Sequence, residues 1–318
     1  DMTDLQELWL RFPTTQSEFD RRFRTEGDCR KYLIDVRWNG VPRCKRCEST
    51  RNYELSNGRF HCRDCGHQTS VTSGTIFDRT RKPLRLWFRA LFSVMTRKTG
   101  ISAKDLQRML GFGSYETGWT WLHKLRTLVD QEGREQLRGS VQLDQAYLGG
   151  RAPGNQRGRS PEGKDVILVG AEVNGRIRMR IIANATAAEL KPAVAKMVAQ
   201  DAAVATDLHR GYTDSVMEGR KHVSSPSPTT DIDPDPVQAC HWAISNLKRW
   251  WLGTHHGAIS TKHLPAYLDE FTFRYNRRNT IGVARLVARA LEAFGRFGKR
   301  TYRDIVDQIP IRRTVVVS

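Results

Sequence analysis

Nowhere in the 318 residues does an apolar run approach the roughly 20 positions that cross a bilayer. The first residues also lack the apolar centre of a secretion signal. Cysteine is scarce, at six, which is too few for a disulfide scaffold of this length. Four of the six fall in two C-x-x-C pairs, which points to metal binding in a reducing cytoplasm. Acidic residues are outnumbered, with 34 Asp and Glu against 52 Lys and Arg, a net charge of +18. That excess runs along the whole chain rather than collecting in a tail. Nucleic acid is the partner it suits best, because displacing counterions from phosphates yields affinity whatever the base sequence. No phosphate loop of the P-loop type occurs, which argues against nucleotide hydrolysis. The length allows two or three domains.

Taken in order, residues 1–40 predict two helices, at LQELWLRF and around 29–38, with Pro13 between them and Cys29 as a small buried hydrophobe. Residues 41–80 hold Cys44, Cys47, Cys62 and Cys65. Each pair offers two thiolates from one tight turn, and two such knuckles complete a tetrahedral zinc site. The stretch between them predicts a hairpin turning at Asn57-Gly58. Arg43, Lys45 and Arg46 flank the knuckles as candidate DNA contacts, with a solvated basic face as the plainer reading. Residues 81–139 predict helices. Ser102 caps one, the Gly111-Phe112-Gly113 turn ends it, and Ser114 caps a second with Trp119, Leu122, Leu125 and Leu128 inward. That outline is a helix-turn-helix, with Tyr115, Thr117, Thr120, His123, Lys124 and Arg126 left to face a groove. An ordinary helical hairpin is the alternative.

Residues 140–280 predict three antiparallel strands (VQLDQAYL, VILVGAEV and RIRMRIIA), a helix over 187–200 and a fourth strand ending at Asp207. A helix at 211–218 and a short strand at 222–224 follow. This is a ribonuclease-H-like layout, in which the first and fourth strands are neighbours, so Asp144 and Asp207 should meet. A helix then carries His241 and Lys248, seven residues apart and therefore on one face. Two segments rich in glycine or proline interrupt the domain, over 149–164 and 224–236. The first brings Arg151, Arg157 and Arg159 as DNA contacts, and Arg249 is a further candidate beside Lys248. Trp250 and Trp251 are candidates for base stacking or core packing. The rest, 281–318, predicts a final helix over 281–297 and a tail.

These stretches resemble a known group. RCKRC with FHCRDCGHQTSVTSGTIF, KTGISAKDLQRMLGFGSYETGWTWLHKLR, VQLDQAYLGG, VATDLHRGY and LKRWWLGTHHGAISTKHLPAYLDEFTFRYNRR stand in the order found in insertion-sequence transposases of family fifteen-ninety-five (ISXO-two-like), within the DDE superfamily. The resemblance implies a multidomain α+β chain: zinc ribbon, helix-turn-helix, ribonuclease-H-like catalytic domain and C-terminal helices. It implies Asp144 and Asp207 as the first and second catalytic acids. The third position, usually Glu or Asn seven residues before a Lys, falls on His241 with Lys248. Two departures stand out: Gln145 where an acidic residue commonly follows the first Asp, and Asp235-Pro236 where a polar Asn/Thr pair precedes the third position.

The expected chemistry is metal-dependent DNA cleavage and strand transfer at transposon ends. Two Mg2+ or Mn2+ ions would be held by Asp144, Asp207 and His241, with structural Zn2+ on the cysteines. His241 would act either as a neutral imidazole ligand, which favours Mn2+, or as a general acid on the leaving oxygen. Lys248 would hold a phosphate. Asp233, Asp235, Asp269 and Glu270 are rival third ligands, with a salt bridge to Arg274 or Arg277 as the simpler role for the last two. Double-stranded DNA, a homodimer or larger assembly, and a nucleoid-associated place in a bacterial or archaeal cytoplasm follow as expectations. The alternatives are an inactive DNA-binding regulator and a nuclease without strand transfer.

Overall fold

The computed structural model describes residues 12–130, 132–149, 164–226, 235–257, 259–282 and 284–310. Two compact units emerge, one of Asp1–Val129 with Asn279–Ser318 and the other of Asp130–Arg278. Among the described residues no helix is long and apolar enough to cross a membrane.

In the first unit, α1 (Gln16–Arg22) and α2 (Glu26–Trp38) each begin at a threonine whose hydroxyl accepts a backbone N–H while a carboxylate three residues on reaches back. These reciprocal caps satisfy donors that a helix start otherwise leaves open. Phe12, Phe19, Phe23, Tyr32 and Phe88 pack as one aromatic cluster, and Cys29 is fully buried nearby. Of the helix expected at LQELWLRF all but Phe12 lies outside the described residues, and α1 is an element the sequence reading did not contain. The ribbon is a three-stranded antiparallel sheet, β1 (Asn52–Glu54), β2 (Phe60–Cys62) and β3 (Gln68–Thr69). Its first hairpin turns where expected, with Gly58 at φ +73°, a left-handed conformation that glycine adopts without steric cost.

The helix α3 (Leu84–Thr96) starts just after Pro83, where the Glu26 carboxylate accepts from the N–H groups of Leu84 and Arg85 at 2.8 and 3.3 Å. That contact ties the start of α3 to the start of α2. Next come α4 (Ala103–Leu110) and α5 (Tyr115–Thr127), capped by Ser102 and Ser114, with Gly111 in the left-handed conformation closing α4. Gly118 lets the pair approach closely, since a Cβ there would sit 2.6 Å from the Ala103 carbonyl.

Three details of this region depart from the sequence reading. Trp121, not Trp119, is the tryptophan packed inward, stacked on Trp87 with ring centroids 3.4 Å apart. His123 and Arg126, expected to face a DNA groove, are 3 % and 1 % exposed. Beside them, Trp119 packs against His123 one turn away and against Tyr302, and Arg300 donates to the Thr127 hydroxyl from 173 residues away. The C-terminal segment thus packs against α5 at Trp119 and Thr127, a contact that periodicity within one helix does not reveal. The expected helix over 281–297 is also shorter, α10 (Arg285–Leu291), and a further helix, α11 (Tyr302–Val306), follows it.

The second unit is built on a five-stranded sheet in the order β6-β5-β4-β7-β8. Its strands are β4 (Ser140–Leu148), β5 (Asp165–Glu172), β6 (Ile177–Ile182), β7 (Ala203–Thr206) and β8 (Lys221–Ser224). The first three pair antiparallel as a meander. The helix α6 (Ala187–Met197) then carries the chain across, so that β7 pairs parallel to β4 and β8 parallel to β7. Successive side chains alternate between faces. Val141, Leu143, Val166 and Leu168 join Leu190, Val194 and Met197 of α6 and Val216 of the short α7 (Asp214–Met217) on one face. Ala146, Leu148, Ile167 and Val169 face α8 (Gln238–His255) and α9 (Leu264–Tyr275), meeting Cys240, Ala243, Leu247, Trp251 and Leu268. By the same alternation Gln142 and Asp144 lie on the α8 face.

Candidate functional site

In the ribbon, the sulfurs of Cys44, Cys47, Cys62 and Cys65 all lie within 4.8 Å of one another. Individual Sγ–Sγ separations are 3.5 Å for Cys44–Cys65, 3.6 Å for Cys47–Cys62 and 3.4 Å for Cys47–Cys65. A tetrahedron with Zn–S bonds of ~2.3 Å has edges of ~3.8 Å, so the four thiolates are close to the geometry zinc takes. Each pair sits in a tight turn, closed by Glu48 N–H donating to Cys44 O and Gly66 N–H to Cys62 O. Arg43, Lys45 and Arg46 are exposed beside the first turn. His61 instead packs its ring against Tyr53.

The second unit holds an open cleft of about 760 Å³, lined among others by Asp144, Asp207, His241, Lys248, His209 and Lys164. Register explains why the two aspartates share it. Leu143 pairs with Thr206 across the parallel β4–β7 ladder, and Asp144 and Asp207 are the next residue on each chain. Asp144 is 8 % exposed. Burial pushes its carboxyl up from the ordinary value; the Gln145 N–H and His241 oppose that rise, and the charges of Asp207 and Asp235 add to it. One Asp144 oxygen accepts the Gln145 N–H at 2.7 Å, and the other lies 3.3 Å from His241 Nε2. Asp207 ends β7 in a turn of its own, accepting the His209 N–H at 3.1 Å.

The helix α8 brings the remaining groups. His241, Ser245 and Lys248 recur at helical spacing and all line the cleft, with Ile244 and Leu252 beside them. Its first turn is tied to the strand of Asp144: the Gln142 side chain accepts the Ala239 N–H at 2.7 Å, and Cys240 Sγ donates to Gln142 O at 3.3 Å. Asp235, just before the helix, accepts from Val237 N–H at 3.0 Å and lies 2.6 Å from His241 Nδ1.

Several residues singled out in the sequence play other parts. Gln145 lies at the cleft's edge but turns its amide to Tyr212 Oη on the opposite face of the sheet. Glu270 is buried in an ion pair with Arg274 at 3.4 Å, the structural role weighed for it. Trp250 and Trp251 are both core residues, so neither offers a free ring to a base, whereas Trp242 is 54 % exposed. His255 packs against Trp250 and Tyr267. Arg249 is exposed on α8, as are Tyr115 and, in part, Thr117, Thr120 and Lys124 on α5. Arg151, Arg157, Arg159 and Asp233 lie outside the described residues. Gln142, Lys164 and the Asp235–His241 pairing were missed by the sequence reading. Only the Asp-Pro before a helix start hinted at the last of these.

Comparison with known proteins bears on both regions. Residues 136–276 match the family model described as the ISXO2-like transposase domain, and residues 24–68 match the transposase zinc-ribbon domain. The match and the four-cysteine cluster together support structural zinc. A protein of Halobacterium salinarum, described as an uncharacterized protein in transposable element ISH50, is 27% identical over 278 residues, covering 80% of this chain and 92% of that one. With the two family matches standing in order and spanning more than half of its length, the chain belongs to the ISXO2-like transposases.

Proposed function

We propose that this chain is a DNA transposase that binds the terminal inverted repeats of its element and carries out metal-dependent cleavage and strand transfer in the Asp144 cleft. The observation that carries the reading is the convergence of Asp144, Asp207, His241 and Lys248 on one open cleft, with His241 Nε2 3.3 Å from an Asp144 oxygen. Two carboxylates and an imidazole are a donor set suited to Mg2+ or Mn2+. The strand order and crossover support the ribonuclease-H-like assignment, and the capped α4–α5 pair supports the helix-turn-helix one.

Asp144, buried and in the field of two other acids, would hold the divalent cation most tightly; Asp207 and His241 complete its surroundings. When bound, such ions activate water and stabilise the leaving oxygen in phosphodiester cleavage. Lys248, exposed two turns along the same face from His241, would fix a phosphate of the strand being cut. Arg43, Lys45 and Arg46 on the ribbon and Tyr115 at the start of α5 would contact the DNA end, and pairing two ends would bring two copies together.

Incubating the protein with its terminal repeats and Mn2+ tests the reading. Wild type is expected to cleave and join, more strongly with Mn2+ than with Mg2+ at matched concentration. Asp207→Asn should bind the same DNA yet cleave about a thousandfold more slowly, the loss of ~4 kcal/mol of charge stabilisation. Binding without cleavage by wild type would make the chain a regulator, and nicking without joining a simple nuclease.

A further inference from the structure

Asp235 stands outside the strands and helix that carry the other cleft residues, yet both of its oxygens are engaged. One accepts the Val237 N–H at 3.0 Å, which fixes the carboxylate against the start of α8. The other lies 2.6 Å from Nδ1 of His241, and the Asp235 side chain is only 14% exposed. On the far side of the same ring, Nε2 lies 3.3 Å from Asp144. The imidazole is thus gripped between two acids, and only one of them makes a short contact.

We propose that Asp235 is a positioning residue: by accepting the Nδ1 proton of His241 it fixes the ring with Nε2 bare and aimed at Asp144. The inference rests on the reading of this cleft as a divalent-cation site, and it decides between the two roles open to His241. An ionised carboxylate has no proton to give, so the proton in the 2.6 Å contact belongs to the ring nitrogen. In the neutral imidazole the other nitrogen then carries a lone pair. A bare Nε2 is a ligand and not an acid, so the arrangement assigns His241 to holding the cation rather than to protonating a leaving oxygen.

The contact on the far side of the ring fits the same assignment. A lone pair facing a carboxylate oxygen at 3.3 Å sets two acceptors against each other, an arrangement made favourable by a cation seated between them. Carboxylates behind metal-bound histidines set tautomer and ring direction in just this way. The ring's own backbone is equally constrained, because Gln142 clamps the first turn of α8 onto the strand of Asp144.

The test uses full-length protein with isotope-labelled histidine, metal-free except for zinc, at a pH above the imidazole titration. Two-bond nitrogen–proton correlations, assigned with His241→Gln, should show the Nδ1–H tautomer at His241. Asp235→Asn should move the ring toward Nε2–H, and Asp235→Glu should restore much of the original distribution. Mn2+ binding, read from the electron paramagnetic resonance of the free ion, should weaken roughly 10- to 100-fold in Asp235→Asn. In a His241→Ala background the same change should cost no further affinity. An Nε2–H ring in wild type, or a tautomer indifferent to residue 235, overturns the proposal. A further loss of Mn2+ in the His241→Ala background does so too, marking Asp235 as a direct ligand. A wild-type protein that takes up no Mn2+ sinks the broader functional reading instead, while the tautomer measurement, made without Mn2+, still decides this one.

Discussion

The four cysteine sulfurs come together from two turns within 22 residues of sequence, whereas Asp144, Asp207 and His241 reach their cleft from mid-strand, from just past a strand end and from a helix, spread over 98. The first group closes on itself. All four sulfurs lie within 4.8 Å of one another, enough thiolates to fill a tetrahedral shell, which is how sites that hold a fold together are built. The second group lines a cleft of about 760 Å³ and crowds its charges, with Asp144 buried against its own preference and 3.3 Å from His241. A compact shell gives stability and an open one gives access. Dependence on the metal should therefore take opposite forms in the two places.

The largest expected effect breaks the ribbon alone. Cys62→Ser should abolish bound zinc, measured by elemental analysis, and leave the ribbon amides unprotected in hydrogen exchange, because structural zinc supplies ~10–16 kcal/mol to small zinc modules. Mn2+ uptake by the second unit should survive; its loss would show that the two sites are not independent. Lys248→Ala sharpens the other side of the contrast. It should weaken terminal-repeat DNA binding about tenfold and lower the salt slope by about one, with Mn2+ affinity unchanged in direct titration.

The smallest effect is one of stability, and its sign runs against function. Burial raises the Asp144 carboxyl above its ordinary value, so between the two values the folded chain holds a proton that the unfolded chain has released. The associated stability is complete below the unfolded value and is lost as pH rises through the folded one. Asp144→Asn removes that loss. In the absence of added divalent cation its Tm at pH 7 should exceed that of wild type, and the difference should close below about pH 4. Added Mn2+ should raise Tm in wild type only. An equal response in both proteins would place the cation away from Asp144.

Much of this was legible in the chain because the signals were local. Two C-x-x-C pairs, alternation in VQLDQAYL, serine caps before α4 and α5, and a seven-residue His–Lys spacing each report on a few neighbouring residues, and the corresponding strands, turns and helix face are found. The convergence of Asp144 with Asp207 also followed, because strand order implies a register. What failed was long range. Nothing within α5 told that Arg300 and Tyr302 would pack against Thr127 and Trp119, beside the buried His123 and Arg126. Before α8 only Asp235-Pro236 hinted that Asp235 would turn toward His241, since that contact depends on how the chain enters the helix.

The close approach at Gly118 carries a lesson for how the first unit could diversify. With no side chain between α5 and the Ala103 carbonyl, the crossing of α4 and α5 is governed by a single missing methyl. Any residue larger than glycine must lever the two helices apart and swing Tyr115, one turn upstream, to a new position. Relatives that carry alanine or serine there would therefore present a different surface at the start of α5 with no change in the exposed residues themselves.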